Sequence, residues 1–199
     1  MDEDIKIRTL LAMILCAIAT GWFLASSIAG IRKGASKPVP APVLTQAEAN
    51  DLLFMREEEK VAHDDYITVY AVWGGRVFDN ISQAEQRHMD AILGLKKYDL
   101  EDPVLDFGFF ANPELQALYT KLIARGMQSR LDALMVGALI EEVDMDDMVT
   151  AMERTSKTDI LTVYGNLLAG SKNHLRAFVR NIETITGEPY VAQYFPGRG

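Results

Sequence analysis

The chain has 199 residues and a net charge of −8, with acidic and basic residues interleaved and no Lys/Arg stripe, which argues against a nucleic-acid partner. Its one cysteine, Cys16, lies in an apolar run, so disulfides within the chain and cysteine-rich metal or redox sites are excluded. The length suffices for one domain with a sizeable core plus extras.

From Thr9 to Ile31 the chain carries no charge, and Arg32 and Lys33 close the run. Such a stretch is long enough for a bilayer core, which takes ~20 apolar residues. Residues 1–33 are therefore predicted to form a membrane anchor; a signal peptide cleaved near Ser27 or Ala29 is the competing reading. Lys6 and Arg8 before the run nearly balance Arg32, Lys33 and Lys37 after it, so charge alone does not orient it. By resemblance to signal anchors, the rest of the chain is expected outside the cytoplasm, or secreted if the segment is cleaved. Residues 34–43, "GASKPVPAPV", form a proline-rich linker, and residues 44–199 form the domain.

The domain reads as helix throughout. Thr45 with Glu48 makes a capping box. From there Leu52, Met55, Glu59, Ala62, Tyr66, Val69 and Trp73 recur on one face of a long helix that Gly74-Gly75 ends. A second helix is predicted from about Asp79 to Tyr98, with Ile81, Ala84, Glu85, His88, Ala91, Ile92 and Leu95 inward. Asn112-Pro113 opens a shorter helix that stops near Gly126. Ser129 with Asp132 opens the next, with Leu131, Leu134, Ala138, Glu141 and Met145 inside, followed by a short separate piece to about Arg154. The last long helix spans about Thr158 to Thr186, with Leu161, Tyr164, Leu167, Leu168, Ser171, His174, Leu175 and Phe178 inward. No stretch alternates with period two, so no sheet is expected. The fold class is all-α: a four-helix bundle with extra short helices behind the anchor.

Carboxylates and imidazoles fall on the apolar faces: Glu59 on the first helix, Glu85-x-x-His88 on the second, Glu141 with Asp144 on the third long one, His174 on the fourth. Unpaired buried carboxylates cost several kcal/mol. Four helices each placing such a group at one depth need a common compensation, of which a pair of metal ions is the simplest. Bundle sites for paired iron or manganese take a Glu from two helices and Glu-x-x-His from the other two. The fourth helix departs from that pattern, because Ser171 stands where its acid belongs. Three outcomes stay open: Asp144 replaces that acid, one ion is held by Glu59, Glu85, His88 and Glu141, or the groups form a metal-free hydrogen-bonded network.

Several neighbours receive plainer readings. Glu57 and Glu58 point sideways or outward, and Glu142 is the rival of Glu141. His63 lies at the edge of the inner face, and Tyr66 and Tyr164 are inward core aromatics. Asp146 and Asp147 read as solvated groups at a helix end, and Arg87 and Arg176 lie outside or pair with acids nearby.

The stretch "EKVAHDDY", Glu59 to Tyr66, matches the Glu-x-x-Ala-x-x-x-Tyr pattern on the first helix of rubrerythrins and ferritins. Together with "ISQAEQRHMDAI", "LEDPV", "GALIEEVDMDDM" and "GSKNHLRAFV" in that order, the chain from Leu44 to Tyr194 resembles an uncharacterised ferritin-like family of bacteria and archaea. The resemblance implies a ferritin-like bundle. The expected ligands are Glu59, Glu85, His88, Glu141, Asp144 and His174, for iron or manganese as two ions or one. Oxygen or peroxide redox chemistry would then draw electrons from an external donor, since the domain has no cysteine pairs. A metal-free interaction module on a membrane tether is the rival. Iron storage in a closed shell fits poorly with a span on every subunit. Association of several copies stays open. No Gly-x-Ser-x-Gly elbow or phosphate-binding glycine loop is present.

Overall fold

The structure, a computed structural model, describes residues 43–194. The anchor, most of the linker and the last five residues lie outside that range. Among the described residues there are five α-helices and no strand: α1 Gln46–Trp73, α2 Arg76–Leu93, α3 Pro113–Gly126, α4 Arg130–Glu153 and α5 Thr158–Thr186. None of the helices among them is long and apolar enough to cross a membrane.

Local chemistry sets the helix ends. Thr45 Oγ1 accepts from Glu48 N at 3.2 Å while Glu48 Oε2 accepts from Thr45 N at 2.8 Å, the reciprocal capping pair. Gly74 and Gly75, with φ of 62° and 98°, turn the chain directly into α2. Asn112 caps α3, accepting from Glu114 N at 2.8 Å, with Pro113 in the first position. Ser129 caps α4, accepting from Asp132 N at 3.0 Å. Two boundaries differ from the sequence reading. The helix α2 begins at Arg76 and ends at Leu93, with a separate 3-10 turn over Lys96–Tyr98, because the glycine turn needs no further residues and Gly94 interrupts. The helix α4 runs unbroken to Glu153, because its Asp147 is a buried partner of Glu58 on α1 rather than part of a solvated helix end.

The helices pair as α1 with α2 and α4 with α5; the pairs meet along α1–α4 and α2–α5, and α3 lies against α1 and α4. Two apolar clusters result. One gathers Tyr66, Val69, Phe78, Leu115, Leu134 and Phe178; the other Leu52, Met55, Ile92, Met148, Ile160 and Leu167. On each of α1, α2, α4 and α5 the acid- and histidine-bearing turn lies between a residue of one cluster and a residue of the other. A polar layer is thus held between two dry ones. Phe178 stacks at 5.2 Å on Tyr66 and 5.8 Å on Phe78 because Gly137 leaves it room; a β-carbon there would stand under 3 Å from the Phe178 ring. In α5, Ile160 rather than Leu161 is fully buried.

The helix α1 is covered on its outer side as well, by the 99–112 loop and α3. Arg56 donates through Nε and Nη2 to Asp102 at 3.1 and 2.8 Å. Lys60 donates to Asp64, to Asp106 O at 3.0 Å and to Phe109 O at 3.2 Å. Asp64 also accepts from Gly108 N at 2.8 Å. Glu57, expected to point sideways or outward, is buried and accepts from the Ala111 and Asn112 amides, where α3 begins.

Candidate metal centre

Each helix brings its groups in by the pitch of the helix. Glu85 and His88, three apart on α2, share a face. So do Glu141 and Asp144 on α4, and Ser171 and His174 on α5. Packing then joins the faces. Glu59, Glu85 and His88 place one ligand atom each within 4.8 Å of one another, and Glu85, Glu141 and His174 do the same. Glu85 belongs to both triads.

His88 Nδ1 lies 3.0 Å from Glu59 Oε2 and 2.8 Å from Glu85 Oε2. His174 Nδ1 lies 2.8 Å from Glu85 Oε1 and 3.5 Å from Glu141 Oε2. The two imidazoles stack at 5.4 Å. Room for His88 comes from Gly170, where a β-carbon would stand 2.5 Å from Nε2. Tyr66 donates to Glu141 Oε1 at 2.7 Å. Ser171 donates to Asp144 Oδ2 at 2.6 Å. Five of the six expected ligands make up the two triads; Asp144 is in neither and is tied to the layer through Ser171.

The electrostatics are those of a site short of positive charge. Burial, together with the Asp144 charge, pushes the Glu59 carboxyl well up, against the pull of His88. Burial and the neighbouring Glu141 do the same to Asp144. Burial and the Glu85 charge lift Glu141 to about 7. For Glu85 burial acts upward, but His174 and His88 outweigh it and hold the carboxyl at about 2. Burial acts downward on the imidazoles, yet Glu59 and Glu85 push His88 up to about 11, and Glu141 and Glu85 push His174 up to about 10. The metal-free layer is thus neutralised by protons on its own ligands, which a bound cation would release.

The donor set fits divalent iron or manganese: carboxylate oxygens for a hard ion, imidazole nitrogens with them. Glu59 Oε1, both Glu85 oxygens, Asp144 Oδ1 and His174 Nδ1 are buried without an aligned hydrogen-bond partner. The histidine contacts of Glu85 are therefore short but poorly directed, as atoms facing a common point are. Buried polar atoms are seldom left so.

The structure separates rivals that the sequence left together. Glu142 is turned away and accepts from Gln193 N at 2.8 Å, Tyr194 N at 2.7 Å and Tyr190 Oη at 2.9 Å, holding the C-terminal tail. His63 pairs with Asp64 at 2.8 Å, outside the layer. Two expectations are corrected. Glu58, read as pointing sideways or outward, is buried beside Asp147, and Asp147, read as solvated, is buried with it; burial lifts Asp147 to about 6. The α1 face that carries Glu58 turns toward α4, which a one-helix pattern does not report. Asp65 is also fully buried with neither oxygen bonded, and burial lifts it to about 8.

Residues 48–198 match the family model described as an uncharacterized protein domain, DUF2202. Over 159 residues the chain is 44% identical to the uncharacterized protein MJ0754 of Methanocaldococcus jannaschii, covering 78% of this chain and 85% of that protein. A crystal structure described as hypothetical protein MJ0754 from Methanococcus jannaschii shares the fold with a TM-score of 0.74 at 41% identity, over 84% of this chain and 93% of that one. Both the match length and the identity place the chain in one family: it belongs to the uncharacterized DUF2202 domains.

Proposed function

We propose that this chain is a membrane-anchored metalloprotein, in which α1, α2, α4 and α5 form a ferritin-like four-helix bundle around two iron or manganese ions. The observation that carries this reading is the pair of triads sharing Glu85. Glu59, Glu85 and His88 would hold one ion; Glu85, Glu141 and His174 the other. When bound, such ions supply reversible electron transfer to dioxygen or peroxide, or take part in metal handling.

The protein's own part is positional. Tyr66 orients Glu141 through its hydrogen bond. The apolar clusters above and below keep bulk water from the layer. The His88 and His174 side chains, 13% and 12% exposed, leave the α2–α5 seam as the side on which a small oxidant reaches the layer. Electrons come from an external donor, since residues 44–199 contain no cysteine. Residues 1–33 would tether the domain, on the extracytoplasmic side, with residues 34–43 as spacer.

Metal analysis of the full chain purified in detergent tests this. The expected result is about two ions of iron or manganese per chain, both lost in Glu85→Ala, with a lower melting temperature after chelation. Less than about half an equivalent bound, with melting unmoved by chelator and by Glu85→Ala, would instead support a metal-free interaction module.

A further inference from the structure

The fourth helix of the layer carries no acid. Ser171 stands three residues before His174, in the position that Glu85 holds before His88 on α2. The side chain is fully buried, so it is not a surface residue of no consequence. Its hydroxyl donates at 2.6 Å to Asp144 Oδ2, with a longer contact of 3.2 Å to Leu167 O. The short partner therefore takes most of the single proton.

Asp144 is 5% exposed, and its second oxygen, Oδ1, has no partner. Its charged neighbours are Glu141, Glu85, His88 and Glu59 of the triads, and Glu58 on α1. Asp144 belongs to neither triad but interacts with members of both. Its carboxylate lies 2.6 Å from the hydroxyl of Ser171, the residue that stands where the acid of α5 is missing.

We propose that Asp144 would supply to the ions the carboxylate that α5 lacks, and that Ser171 is its positioning residue. The ligand would come from α4, across the α4–α5 seam, with the serine hydroxyl holding Oδ2 and leaving the unpartnered Oδ1 to serve as the donor. The assignment rests on the two-ion reading above.

The test uses the full chain in detergent, with Mn(II) as the probe. Binding stoichiometry, affinity and the electron paramagnetic resonance spectrum are read for the parent, Asp144→Asn, Ser171→Ala, Asp144→Ser and the exchange variant Asp144→Ser/Ser171→Glu. The parent should bind about two ions with an exchange-coupled signal. Asp144→Asn and Asp144→Ser should lose the coupled signal and one ion. Ser171→Ala should keep both ions with affinity weakened roughly 10-fold, as for a residue that orients a ligand. The exchange variant should regain the second ion and the coupling that Asp144→Ser lacks, which a merely structural residue would not do. Melting of each variant in chelator shows that it is folded. If Asp144→Asn binds both ions with unchanged affinity and coupling, this assignment is wrong while the two-ion reading stands. If the parent binds no Mn(II), both are wrong.

Discussion

The two sides of α1 bury acids in opposite ways. On the outer side each buried charge has a protein partner: Asp64 has Lys60 and the Gly108 amide, Arg56 has Asp102, and Glu57 has the amides that begin α3. On the inner side Glu59, Glu85 and Asp144 crowd together with His88 and His174, and several of their oxygens face no aligned donor. Burial is equally deep on both sides, so depth does not distinguish a structural acid from a ligand. What distinguishes them is whether the chain itself supplies the compensating donors. Where it does, the charge is matched within the fold; where it does not, as around Glu85 and Asp144 and at Asp65, buried oxygens are left without a donor.

The largest effect should come from breaking the outer side. Lys60→Met leaves Asp64 buried without its cation, and loss of one partner of a buried pair costs about 3–5 kcal/mol. Chemical denaturation should show that loss with ion content unchanged. If the ions leave as well, the two sides are not independent and the comparison fails.

Asp65 sharpens it next, as a buried acid with neither protein donors nor a place in the triads. Its folded-state pKa of about 8 lies above the ordinary 3.8, so the folded state holds a proton that the unfolded chain gives up. That contribution is full below pH about 4 and is lost as pH rises toward 8. Asp65→Asn should match the parent near pH 4. By pH 8 it should be more stable by several kcal/mol, with a flatter pH profile in thermal melts. Equal profiles would mean that Asp65 has a donor after all.

Smallest is Glu57→Gln, which keeps an acceptor at the α3 amides but removes the charge. A cost of about 1 kcal/mol is expected, with no change in ion content. A larger loss accompanied by ion release would show that α3 helps to set the layer around Glu85.

Much of this layer was legible in the sequence, and the reason is helical pitch. Glu85 and His88, three apart, must share a face, and Glu59, Glu141 and His174 each fall on the apolar stripe of a helix with clear end signals. Glu57, Glu58 and Asp147 were not legible. A stripe reports only the face turned to the main core, whereas α1 is covered by partners that lie far along the chain, such as Asp102 and Ala111. Charged residues under such cover read like solvated ones. The choice of Glu141 over Glu142 was indicated by phase, and its physical ground is the tail at Tyr190–Tyr194, which claims Glu142.

By itself the sequence determined the helices, their caps and the residues that share each face, because hydrogen bonding within a helix depends on near neighbours alone. Only the tertiary structure decided that Glu85 faces both histidines and that the Ser171 hydroxyl meets Asp144. Those contacts depend on how far one helix slides and rotates against another. That offset is set by packing between distant residues, such as the Phe178 ring seated over Gly137, and no spacing within one helix encodes it.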